Sequence, residues 1–129
     1  MTVTQLFPIL LTRDLPRLVG FYEHALRAVV VYRFGDAEED DYVSLSIDVA
    51  SLGIGRDASM PARVTGDRVA LWFYVDDVDA VFHRWMQAGG DVAQEPQDMP
   101  WGERVAQVRD PDGNLVNLGR LPATADPVA

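Results

Sequence analysis

Asp14 and Asp77 open two stretches that repeat one another at an offset of 63 residues, and this repeat constrains the fold more than any other feature. At that offset Leu15 stands on Val78, Leu18 on Val81, Tyr22 on Trp85 and Ala25 on Ala88. Apolar residues recurring every third or fourth position mark the buried stripe of an amphipathic helix, and an aspartate just ahead of the stripe caps the free N–H groups of its first turn. Phe7 falls on Ala70 in the apolar segments that precede the two caps. An internal repeat of this length describes one supersecondary unit used twice.

Each unit reads as βαβββ. In the first, Gln5–Thr12 is expected to be a buried strand, Val29–Phe34 a β-branched and aromatic strand, and Gly35–Asp41 an acidic turn. Tyr42–Asp48 alternates Val43, Leu45 and Ile47 against Ser44, Ser46 and Asp48, the period of a half-buried strand, and Ser51–Gly55 supplies one more. In the second, the expected strands are Arg68–Val75, Asp91–Gln94, Glu103–Arg109 and Leu115–Leu118, with a loop over Glu95–Gly102 and a tight turn over Asp110–Asn114. The helix after Asp77 should end at Gly89-Gly90. The expected fold class is α+β, a single domain of two βαβββ modules over about 5–55 and 68–120, with a linker at 56–67 and a flexible tail at 121–129. A helix covers one face of each small sheet. The other faces need a partner, and the two curved sheets are expected to meet around a cleft.

Composition removes several function classes. The 129 residues contain no cysteine, which excludes a disulfide framework, a thiolate metal site and a cysteine nucleophile. The two histidines, His24 and His83, both fall in expected helices. Acidic residues outnumber basic ones 20 to 11, a net charge of −9, and the basic residues, all arginines, are scattered. Binding to a nucleic-acid polyanion needs a basic patch, so no nucleic-acid partner is expected. No apolar run reaches the ~18 residues that span a bilayer, and the start of the chain lacks a basic leader. No membrane association is expected, and a cytoplasmic location is. No nucleophile–base–orienter set and no glycine-rich phosphate loop stands out, so no catalytic residue is assigned.

The order of these elements resembles the vicinal-oxygen-chelate superfamily of glyoxalases, extradiol dioxygenases, and fosfomycin- and bleomycin-resistance proteins. The resemblance is carried by Ile9–Leu15 with Phe21-Tyr22, by Trp72–Ala80, and by Pro100-Trp101-Gly102 followed by Asp110–Asn114. Arg27 departs from it, standing after the first helix where the family usually has glycine. In the superfamily's enzymes a divalent metal is held from the first and last strands of each unit. The resemblance places those positions at Phe7, Ala70, Asn117 and the neighbourhood of Gly53–Gly55, which offer one amide and no imidazole or carboxylate. No metal and no cofactor are therefore expected.

With position 70 facing the cleft, strand alternation brings Trp72 and Tyr74 to the same face, opposite Phe7 of the first unit. Core packing between sheets is the other role open to this pair. Trp101, between Pro100 and Gly102, is expected at the cleft edge, and Ser46, Asp48, Arg104 and Asn117 complete the candidate ligand-binding set. Ser46 and Asp48 could equally lie on a solvated face, and Arg104 in an ion pair. The resemblance then implies a metal-free, homodimeric small-molecule binder of the bleomycin-resistance kind, sequestering a hydrophobic, aromatic or cationic compound such as an antibiotic. The alternative is an enzyme of the same superfamily, with Asp48 or Glu103 as a base or with an unrecognised metal site.

Overall fold

In a computed structural model, which describes residues 1–122, the two aspartates do what their positions require. The Asp14 carboxylate accepts the Arg17 N–H at 3.2 Å and starts α1 (Leu15–Leu26). The Asp77 carboxylate accepts the Ala80 N–H at 3.1 Å and starts α2 (Val78–Gln87). The chain divides into two compact units, residues 1–62 and 63–129. The expected tail lies, from 123 onward, outside the described residues.

The first unit holds β1 (Ile9–Thr12), α1, β2 (Val29–Gly35), β3 (Asp40–Ile47) and β4 (Ala50–Arg56). Its sheet runs β1-β4-β3-β2, with β1 parallel to β4 and the other pairs antiparallel. Leu15, Leu18, Tyr22 and Ala25 are buried on α1, together with Val43, Leu45 and Ile47 of β3 and Leu52 and Ile54 of β4. These side chains form the core between helix and sheet.

The second unit repeats the plan: β5 (Leu71–Tyr74), α2, β6 (Asp91–Asp98), β7 (Arg104–Arg109) and β8 (Leu115–Arg120). Its sheet runs β5-β8-β7-β6 with the same parallel and antiparallel pairings. Val78, Val81 and Trp85 of α2 pack with Ala106, Val108, Val116 and Leu118. The fully buried Trp85 donates its indole N–H to the Arg109 carbonyl at 2.8 Å, so its one polar atom is satisfied inside the core. The Asp110–Asn114 turn closes β7 on β8: the buried Asp110 carboxylate accepts from the Asp112 and Asn114 N–H groups and from the Asn114 amide.

Several boundaries differ from the sequence expectation. β1 begins at Ile9 and not at Gln5; Pro8 has no N–H for a ladder, although its carbonyl still accepts from Gly53 at 2.9 Å. β5 likewise begins at Leu71 and not at Arg68. β6 runs on to Asp98 through the expected loop. It is an edge strand, where a proline costs no ladder bond, and the register shift between Gln94 and Gln97 accommodates Glu95-Pro96 as a bulge. β3 ends at Ile47, so Asp48 is not on the strand; it sits at φ 52° in the two-residue turn to Ala50, a left-handed conformation that aspartate tolerates.

Candidate functional site

β5 carries four residues, Leu71 to Tyr74, with Trp72 and Tyr74 alternating against Leu71 and Phe73. Trp72 is 43% exposed and Tyr74 37%, whereas Leu71 and Phe73 are half-buried. The two exposed rings project from the sheet face opposite α2. Their centroids lie 5.8 Å apart at an interplanar angle of 61°, an edge-on pair. The Trp72 indole lies over Gly119 of the neighbouring β8: a Cβ added there would come within 2.9 Å of the ring. Gly119 is thus the absence of a side chain that lets the indole lie flat on the sheet.

Glu103 completes the arrangement from the position just ahead of β7. Its carboxylate accepts the Trp101 indole N–H at 2.6 Å and faces the Tyr74 hydroxyl. The interaction with that carboxylate, with some burial, holds the Tyr74 phenol above the ordinary tyrosine value of 10.0. Gly102, at φ 98°, turns the chain between Trp101 and Glu103 so that the indole folds back onto the carboxylate. Trp72, Tyr74, Trp101 and Glu103 line an open concavity of about 660 Å³ in the second unit. Three aromatic surfaces and one carboxylate can hold a flat or cationic molecule.

The other expected site residues are distributed as follows. Asn117, 7% exposed, is the cross-strand partner of Trp72 and of Gln107, in the floor beside the aromatic pair. Arg104 does not join the aromatics. It pairs bidentately with Asp79 of α2 at 2.8 and 3.0 Å and with Asp98 at 3.1 Å, because alternation along β7 turns it to the helix side while Glu103 and Val105 face the other way. This pairing lowers the Asp79 pKa and raises that of Arg104. Phe7 and Ser46 belong to the first unit: Phe7 is exposed ahead of β1, and the Ser46 hydroxyl donates to the Asp48 carbonyl at 3.3 Å. Asp48 itself is an exposed turn residue.

Glu103 is the residue that sequence reasoning underrated, weighing it only as a base. Its partners lie two and 29 residues away, and only the closeness of Trp101 is visible in the chain order. At the positions to which the resemblance assigns the metal of the superfamily's enzymes, this chain has the phenyl of Phe7, the methyl of Ala70, the neighbourhood of Gly53–Gly55 and the amide of Asn117. That donor set does not fit a divalent cation, and among the described residues no group of three or more His, Cys, Asp or Glu side chains comes together.

Residues 4–118 match the model of the Glyoxalase/Bleomycin resistance protein/Dioxygenase superfamily. The chain belongs to this superfamily. An uncharacterized protein of Mycobacterium bovis is 30% identical over 125 residues, covering 89% of this chain and 82% of its own length. The uncharacterized protein YraH of Bacillus subtilis is 27% identical over 120 residues, covering 87% and 94%. Among solved structures, TioX from Micromonospora sp. ML1 aligns with a TM-score of 0.75 at 26% identity, over 92% of this chain and 98% of TioX. A bleomycin resistance determinant encoded on the transposon Tn5 aligns with a TM-score of 0.68 at 22% identity, over 92% and 98%, a likeness of fold. As in these superfamily folds, each half is a four-stranded mixed sheet with one helix.

Proposed function

We propose that this superfamily member is a metal-independent small-molecule binding protein that captures a hydrophobic, aromatic or cationic compound, an antibiotic being the leading class, by stoichiometric sequestration and not by turnover. The observation that carries the reading is the aromatic concavity of Trp72, Tyr74 and Trp101. Rings left 37–57% exposed in a chain that buries Trp85 and Tyr22 completely are surface held open for a ligand. Each ring contact adds ~0.5–1.5 kcal/mol beyond area burial, so three of them add ~1.5–4.5 kcal/mol to what burial of the ligand itself supplies. The likeness to a bleomycin resistance determinant supports the same class of ligand. A homodimer and an intracellular site of action belong to this proposal.

The test is a titration with glycopeptide and other aromatic drugs, following tryptophan emission. Saturable quenching at one ligand per chain, with the drug recovered unchanged, is the expected result. Failure of every drug to quench below about millimolar would refute capture.

A further inference from the structure

The donors around the concavity set the charge of what it takes. The Trp101 indole N–H is spent on Glu103, and the same carboxylate faces the Tyr74 hydroxyl. What Trp101 and Tyr74 present to a ligand is therefore mainly their π faces and ring edges, which leaves the Trp72 indole N–H as the other side-chain donor of the lining. Among the described residues the Glu103 carboxylate has no cationic side chain paired to it, and the neighbouring Arg104 is turned to the other sheet face and held there by Asp79 and Asp98. An aromatic surface is attracted to a cation through the ring quadrupole, and a carboxylate hydrogen-bonded into the same wall adds a fixed counter-charge.

Resting on the capture reading above, we infer that the Trp72–Tyr74–Trp101–Glu103 concavity is a cation cage whose ligand carries an alkylated ammonium group, seated against the three rings with Glu103 as its counter-ion. Alkylation matters because the site lacks a ring of acceptors for a bare NH₃⁺, whereas methyl or methylene groups on nitrogen match the ring faces. The concavity exceeds the volume of an ammonium head alone, so the rest of the ligand extends along the Trp72 face toward Asn117. The net charge of −9 repels anions and draws cations toward the whole surface, which affects encounter more than affinity.

Wild-type protein and the Glu103→Gln variant are titrated, following tryptophan emission, with benzyltrimethylammonium, with benzyl alcohol as a neutral aromatic, and with phenylacetate as an anion. The expected result is binding of the cation about tenfold or more tighter than either comparator, with Glu103→Gln losing about tenfold for the cation and leaving benzyl alcohol unchanged. The wild-type comparison needs no variant, so a folding defect in Glu103→Gln cannot hide the outcome. Benzyl alcohol or phenylacetate binding as well as the cation, or no saturable binding of the cation, overturns the cage. In either case the drug titration judges capture separately, so the cage can fall while capture stands.

Discussion

The two units share one plan and line their open faces differently. In the first, Ile9 and Leu11 of β1 pair with Gly53 and Gly55; in the second, the equivalent Trp72 and Tyr74 of β5 pair with Asn117 and Gly119. The first unit fills the hollow above its glycines with its own side chains. A Cβ on Gly53 would meet the Tyr42 hydroxyl and ring and the Ile9 side chain, and Tyr32 lies 6.3 Å from Tyr42. In the second unit the residue equivalent to Tyr42 is Val105, and the aromatic surface stands above the sheet. The acids differ in the same sense. Asp40 of the first unit is bound to Arg33, while Glu103, at the equivalent place, organises two aromatic donors. Duplication thus keeps the helix–sheet core and frees the opposite face to diverge, and the second unit's face is the one proposed to receive a ligand.

The largest expected effect tests the shared part. Trp85→Ala should cost about 3–5 kcal/mol in urea unfolding, and its counterpart Tyr22→Ala a similar amount, since both side chains are fully buried. A loss below about 1 kcal/mol for either would show that the two cores are not equivalent.

The open faces should respond unequally to the same change. Gly119→Ala drives a methyl into the Trp72 ring and should cost about 1–3 kcal/mol, read mainly as lost drug quenching as the indole lifts. Gly55→Ala comes nearest the end of Leu11, at 3.2 Å, with Ile9 and Tyr42 at ordinary contact distance, and should leave quenching unchanged. Equal effects would erase the distinction between the faces.

The helix ends sharpen it further. α1 stops at Arg27, φ 55°, and α2 at Ala88 followed by Gly89, φ 106°. A left-handed residue with a Cβ is strained, so Arg27→Gly should stabilise by about 0.5–1 kcal/mol and Gly89→Ala should destabilise by about 1 kcal/mol, both measured by thermal unfolding.

The smallest effects are electrostatic. Tyr74 should ionise above pH 10 in ultraviolet titration, and Glu103→Gln should bring it back toward the ordinary value. Because its folded pKa is raised, the Tyr74–Glu103 interaction stabilises fully below the unfolded value of about 10 and is lost as pH climbs through the folded one. Asp67, bound to Arg109, and Asp79, bound to Arg104, are shifted the opposite way. Their contribution is present above the ordinary carboxylate value of 3.8 and disappears as pH falls through the lowered folded values.

The helices and their caps were legible in the sequence because Asp14 and Asp77 act on residues three positions away, and the stripes follow from helical spacing. The repeat was legible for the same reason. What escaped was set by tertiary position. Glu95-Pro96 reads as a loop until β6 is known to be an edge, and Asp48 reads as strand until the hairpin turn is placed. Trp72 and Tyr74 were legible as a pair on one strand face from alternation, but their place on the open face depended on the resemblance, with core packing the other role left open. Glu103 was not legible as their organiser, since nothing in a linear chain marks a contact between β5 and the start of β7. Arg104 follows from alternation once Glu103 is placed on the open face.

The central claim is capture on the second unit's aromatic face without a metal. Isothermal titration of a quenching drug into wild type, Ile9→Ala and Trp72→Ala, all in excess chelator, tests it most directly. One ligand per chain in wild type and in Ile9→Ala, with affinity lowered tenfold or more in Trp72→Ala, is the predicted outcome. Binding abolished by the chelator, or undiminished in Trp72→Ala, would contradict it.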